Sequence, residues 1–149
     1  MNDGWVARLL AMSWSWALAG CAAVDTRPAH RAPSLEVFDR GVAAWNDADL
    51  EGYLETYAPD AVYVSGGDVL SGWDVVAAHF RERFAEAADM GRLAVSDLDV
   101  LWSDGERAFV VGRWALERMG EPEARGVFSV GLERAKGSWF IVSDHSSAE

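Results

Sequence analysis

Trp139-Phe140-Ile141-Val142-Ser143-Asp144-His145-Ser146-Ser147 closes the stretch whose reading decides the fold, a run from Val95 to Ser147. The run reads as consecutive strands at 93–102, 106–118, 124–135 and 138–147, each rich in β-branched and aromatic residues. Ser103-Asp104-Gly105 and Ala135-Lys136-Gly137 have the chemistry of tight turns, and Met119-Gly120-Glu121-Pro122 that of a looser one. Four strands joined in this way form an antiparallel meander.

Outward from the meander, the preceding residues change to helical spacing. Ser34 is placed to cap a helix carrying Leu35, Phe38, Val42 and Trp45 on one stripe. Asn46-Asp47-Ala48 interrupts it. Asp49 caps a second helix with Leu50, Tyr53, Leu54 and Tyr57 on one face, and Pro59 closes that helix. Ala61-Val62-Tyr63-Val64-Ser65 is a short strand that Gly66-Gly67-Asp68 turns back into Val69-Leu70. Ser71-Gly72-Trp73-Asp74 has the pattern of a capping box and opens a third helix. That helix points Val76, Phe80 and Phe84 inward and runs to about Asp89. Three helices and a hairpin ahead of a meander make an α+β order, with the helices packed on a curved antiparallel sheet.

With 149 residues, half of them hydrophobic, the chain has one domain's worth of core. Its net charge of −11 is unchanged without residues 1–20, which carry only Asp3 and Arg8. Such a chain repels phosphate backbones, which argues against a nucleic-acid partner. The acidic residues are scattered, as on a solvated surface.

Residues 1–20 read as a targeting segment. Arg8 precedes an apolar run, Leu9 to Ala19, too short for a permanent membrane span. Leu18-Ala19-Gly20-Cys21 resembles the lipobox of bacterial lipoproteins, which implies cleavage before Cys21 and lipidation of its sulfur. Cys21 is the sole cysteine, and a free thiol in an exported protein is otherwise a liability. Residues 21–33 then form a lipidated cysteine and tether, with His30 within it, and 34–149 the domain. The expected location is the bacterial cell envelope, lipid-anchored on the periplasmic side of a membrane, the outer one in a Gram-negative cell.

Four stretches carry a resemblance to a known family. Gly41-Val42-Ala43-Ala44-Trp45-Asn46-Asp47-Ala48-Asp49-Leu50, Tyr57-Ala58-Pro59-Asp60-Ala61, Val111-Gly112-Arg113-Trp114 and the closing Trp139–Ser147 resemble the nuclear transport factor 2-like superfamily. They are most similar to its SnoaL-like bacterial members, over roughly residues 34–147. The resemblance implies a cone-shaped fold, a pocket between sheet and helices, and homodimerisation through the outer sheet face. It also includes ketosteroid isomerases, whose catalytic tyrosine, base and acid fall on Gly41, Ser65 and near Ser129. None of these side chains does the required work, so that mechanism is not expected.

The register that the resemblance implies places Val111, Arg113 and Ala115 on the concave face, with Ser129 and Asp144 on the same side. An arginine beside an aspartate there can fix a carboxylate or phosphate through its planar fork. An ion pair tying two strands together explains the same residues equally well. His145 points away from Asp144 in a regular strand and reads as surface or interface. Trp45, Tyr57 and Tyr63 fall where pockets of this family are lined, though core packing also accounts for them. The candidate ligand-binding set is therefore Arg113, Asp144, Ser129, Tyr57, Tyr63, Trp45 and His145. No cofactor motif or metal-ligand spacing is present, with His30, His79 and His145 in separate elements, and no metal or cofactor is expected.

Three functions remain open. A wide, dry pocket with a lone arginine favours a small-molecule-binding domain. An Asp144 or His145 whose titration is displaced by burial favours an enzyme of isomerase, hydrolase or lyase type. A pocket filled by Trp45, Tyr57 and Tyr63 favours a dimeric interaction module.

Overall fold

The computed structural model describes residues 32–149. The targeting segment, Cys21, His30 and the tether up to Arg31 lie outside the described residues. The chain enters through a single 3₁₀ turn, Pro33–Leu35, and then forms α1 (Glu36–Asn46) and α2 (Leu50–Leu54). Strands β1 (Tyr57–Ser65) and β2 (Asp68–Ser71) make the hairpin. Two helices follow, α3 (Trp73–Arg83) and the single turn α4 (Ala87–Met90). The meander is β3 (Arg92–Ser103), β4 (Arg107–Glu117), β5 (Ala124–Ala135) and β6 (Ser138–Ala148).

All six strands join one sheet in the order β2-β1-β6-β5-β4-β3. Every pairing is antiparallel except β1 with β6, which is parallel and sets Tyr63 beside Asp144. Helix α1 packs on β3 and β6, and α3 on β1, so the helices cover one sheet face. The core lies between, with Val37, Leu54, Val76, Val110, Val130 and Leu132 almost fully buried. Each such side chain contributes about 1.5–3 kcal/mol by leaving water.

Local chemistry explains where the helices depart from expectation. Asp49 caps α2 by accepting a hydrogen bond from the Gly52 N–H at 2.9 Å, as its position suggested. Ser34 does not cap α1. It sits inside the 3₁₀ turn, where Pro33 starts the turn and the buried Ser34 hydroxyl has no partner. Tyr57 is not helical: α2 ends at Leu54, and Tyr57 opens β1 well before Ala61. Helix α3 begins at Gly72, whose φ of 90° is open to glycine, without a side-chain cap. The reciprocal box occurs instead at Glu86 and Asp89, which start α4 after the main helix has already ended at Arg83.

Which side chains face the helices is decided by two local features of the meander. In β4 the inward residues are Val110, Gly112, Trp114 and Leu116. Gly112 belongs inside because the Phe128 ring fills the space its side chain would need. A Cβ there would lie 2.6 Å from Phe128 Cζ and 3.0 Å from Leu98 Cδ2. Val111, Arg113 and Ala115 consequently face outward, which corrects the register expected for Arg113. In β6 the inward residues switch from Trp139 and Ile141 to Asp144 and Ser146. The ladder to β5 slips between Gly131 and Leu132, leaving Val142 as an extra residue, and this bulge turns Asp144 inward.

Candidate active site: a buried carboxyl under an aromatic roof

Asp144 is the one carboxylate on the inner sheet face that is buried among the described residues, at 7% exposure. The Tyr57 hydroxyl donates to its Oδ2 at 2.7 Å, and the Ser146 hydroxyl to its Oδ1 at 2.8 Å. Tyr53 extends the chain, its hydroxyl 3.3 Å from that of Tyr57. Burial raises the Asp144 carboxyl above its ordinary range, although both donated hydrogen bonds and the neighbouring His145 favour its charged form. Burial likewise raises Tyr57 well above its ordinary value, with the Asp144 charge adding to the effect. Tyr53 is raised by the same two causes in the same order. The three groups therefore hold their protons more tightly than they would in water.

Above Asp144 lies a cavity of about 190 Å³ between α1, α3 and the inner sheet face. Its walls are mostly apolar, with Phe38, Trp45, Phe80, Trp114 and Phe128 prominent. Phe80 is the hub of the roof, its ring centroid 5.5 Å from that of Tyr53, 6.1 Å from Tyr57 and 5.2 Å from Tyr63. Trp45 is locked by edge contacts to Tyr53 at 4.9 Å and Phe84 at 4.7 Å, and its indole N–H donates to the Met90 carbonyl at 2.9 Å. Tyr63 is raised by burial and hydrogen-bonded to the Ser65 side chain. Space remains beside these aromatics: Trp45 and Tyr63 line the cavity without filling it, and Tyr57 reaches it only through its hydrogen bond to Asp144. A second concavity of about 820 Å³, lined by Tyr57, Pro59, Trp73, Lys136 and Phe140 among others, touches Tyr57 but does not include Asp144.

The structure thus gathers four of the seven residues singled out from sequence, namely Asp144, Tyr57, Tyr63 and Trp45. The other three stand on the opposite face. Arg113 is exposed and pairs with Asp97 at 3.5 Å and Glu149 at 2.9 Å, not with Asp144. Ser129 and His145 are register partners on β5 and β6, and both face outward. The strand-tying ion pair considered for Arg113 exists, with different partners. Not among the sequence candidates are His79 and Arg83, which line the cavity from α3, or Tyr53 and Ser146, which complete the hydrogen bonds around Asp144. His79 and Arg83 are four residues apart on one helix face, a spacing visible in the sequence. Among the described residues no cluster of three or more metal-ligating side chains occurs, and no helix is long and apolar enough to cross a membrane.

Comparison with known proteins places this architecture. A family model described as a SnoaL-like domain matches residues 35–149. A crystal structure of an NTF-2 like protein of unknown function from Shewanella oneidensis is 28% identical, with a TM-score of 0.70 over 76% of this chain and 94% of that one. A ketosteroid isomerase-like protein from Erwinia carotovora shares 20% identity, with a TM-score of 0.63 over 78% of this chain and 93% of its own. A protein with a cystatin-like fold from Nostoc punctiforme shares 14% identity and a TM-score of 0.66, over 78% of this chain and 89% of its own. The fold is the NTF2-like, cystatin-like α+β fold, with a curved and mainly antiparallel sheet. No curated protein matches the chain.

Proposed function

This chain belongs to the SnoaL-like domain family, and on that footing we propose that it is a small-molecule-binding domain whose ligand sits above Asp144. The observation that carries the reading is a buried carboxyl at the base of a largely apolar cavity. Stability alone would be served as well by an apolar side chain there, since a buried ionisable group costs free energy even when hydrogen-bonded. A concave, largely apolar site with a few convergent polar groups has the character of a ligand pocket. An apolar cavity of about 150 Å³ holds benzene, so this one suits a compact molecule of about eight heavy atoms.

A second reading has its own observation. Asp144 and Tyr57 share a 2.7 Å hydrogen bond, and both are displaced towards their protonated forms by the same apolar surroundings. A carboxyl tuned upward in this way is better placed to pass a proton to or from a bound molecule. That supports an enzyme of isomerase, hydrolase or lyase type. The chemistry differs from that of the ketosteroid isomerases, because Gly41 and Ser65 supply no acid or base and Ser129 faces away from the cavity.

Two further proposals concern the setting. The outer sheet face exposes Trp102, Phe109 and Val127, which supports association with a second copy through the sheet. The Leu18-Ala19-Gly20-Cys21 motif supports export and lipid anchoring at the cell envelope. The ligand reading is tested by native mass spectrometry of the full chain beside its Asp144→Asn and Arg113→Ala variants. A co-purifying mass held by wild type and Arg113→Ala, and weakened in Asp144→Asn, is expected. A wild-type protein that carries nothing, and whose melting is unmoved by a panel of compact aromatic compounds, refutes it.

A further inference from the structure

The cavity contains hydrogen-bond donors that the protein itself leaves unused. Tyr57 and Ser146 are committed to Asp144, the Thr56 hydroxyl donates to the Tyr53 carbonyl at 2.7 Å, and Tyr63 is bonded to Ser65. Trp114 differs. Its side chain lines the cavity, and its indole Nε1–H is buried without a partner. An orphaned buried donor is costly, and a bound acceptor would satisfy it.

Two polar side chains from α3 border the cavity, and one of them is cationic. Arg83 lines the cavity with its guanidinium 5.7 Å from the Phe84 ring centroid. Among the described residues it makes no ion pair, whereas Arg81, on the same last turn, is bound to Glu51 at 2.7 Å. Both arginines suit the negative end of the helix, so the dipole explains their presence but not why Arg83 is left beside the cavity without a carboxylate. His79 lies one turn earlier, its ring 5.8 Å from that of Tyr63.

We propose that the ligand of this cavity is a compact apolar carboxylate, its anionic group accepting from Trp114 Nε1–H and Arg83, with His79 alongside. The inference rests on the cavity being the binding site and names the class of molecule it takes. A neutral ligand would leave the Arg83 charge unused, and an amine would meet Arg83 as a like charge. Both Asp144 oxygens already accept hydrogen bonds from Tyr57 and Ser146, and burial raises that carboxyl, which lessens its opposition to an anion. The chain's net charge of −11 repels anions at long range, so binding depends on this local cationic group.

The test is calorimetric titration of the full chain with benzoate and 4-hydroxybenzoate, their primary amides, phenethylamine and phenol. The carboxylates are expected to bind at least tenfold more tightly than their amides, with the amine weakest. Arg83→Met should erase that preference by weakening the acids at least tenfold and the amides far less, and Trp114→Phe should weaken the acids several-fold. In wild type, one indole N–H resonance, assigned by its loss in Trp114→Phe, should move on addition of acid but not of amide. Arg83 is exposed, so its variant keeps the fold and the test stands even if Trp114→Phe does not fold. Phenol or amide binding without a gain for the acids, or an unaltered preference in Arg83→Met, overturns the inference and leaves the cavity reading intact. Failure of every probe, phenol included, overturns both.

Discussion

Replacing Asp144 by asparagine keeps the size and shape of the buried group and removes its proton equilibrium. The carboxyl is 7% exposed and its titration is raised by burial, against hydrogen bonds from Tyr57 and Ser146 that pull it down. The sign of its effect on stability follows. Below the ordinary carboxylate range, folded and unfolded chains both hold the proton, and Asp144 imposes no penalty. As pH rises through that range the unfolded chain releases its proton first, while the folded chain still holds it. Stability therefore falls, until pH passes the raised folded value and the penalty becomes constant. Its final size is about 1.4 kcal/mol for each unit of displacement. Asparagine has no such dependence. Its Oδ1 can still accept from Tyr57, and Ser146 can turn to accept from the amide, so the exchange of hydrogen bonds alone is worth about 1 kcal/mol.

The assay is urea denaturation of wild type and Asp144→Asn between pH 3 and pH 8. The difference between the two curves cancels the many surface carboxylates of this acidic chain. Asp144→Asn should gain on wild type as pH rises, by about 1 kcal/mol or more, or about 4 °C in melting temperature for a domain of this size. The urea dependence should be equal for both proteins. A difference that runs the other way would mean that Tyr57 and Ser146 outweigh burial and hold Asp144 charged. The proton-transfer reading would then lose its support.

Three more outcomes follow from the same contacts. Tyr57→Phe deletes the 2.7 Å hydrogen bond to Asp144, so it should cost about 1–3 kcal/mol and move the Asp144 midpoint further up in a carboxyl-carbon NMR titration. A downward move would contradict the assigned donor. Gly112→Val forces side-chain atoms into the Phe128 ring and should destabilise the domain by about 1–3 kcal/mol in urea, whereas tolerance would mean β4 faces the other way. Arg113→Ala breaks only exposed pairs with Asp97 and Glu149, so a change within about 1 kcal/mol and unaltered ligand binding are expected from melting and titration.

The meander was legible because its turns are written in glycine and aspartate, and the strands observed lie within a residue or two of those read from composition and spacing. The short helices were less so. Tyr57 continues the helical stripe of Leu50, Tyr53 and Leu54, yet the backbone leaves the helix after Leu54 because Tyr57 pairs with Ile141 across the sheet. A long-range pairing of that kind has no local signature. Tyr53 and Ser146 escaped notice for the same reason, since their importance comes from Tyr57 and Asp144, which only the fold brings near them.

Facing was the hardest property to read, and the two strands that misled or could have misled show why. Side chains alternate along a strand, so one extra residue or one misjudged position inverts everything beyond it. In β6 the inward set changes from Trp139 and Ile141 to Asp144 and Ser146 across the bulge at Val142, and without it the Asp144 carboxyl would face outward. In β4 no bulge intervenes, and the signal was present in the sequence as Gly112, a residue with poor strand propensity at the centre of an apolar run. A glycine there marks close approach by a neighbour, here the Phe128 ring, and its inward position sends Arg113 out. In place of Arg113, the proposed anchors are Asp144 from below and Arg83 from α3. The site is assembled from a bulge, a missing side chain and a helix end, each of which is decided by what packs against it.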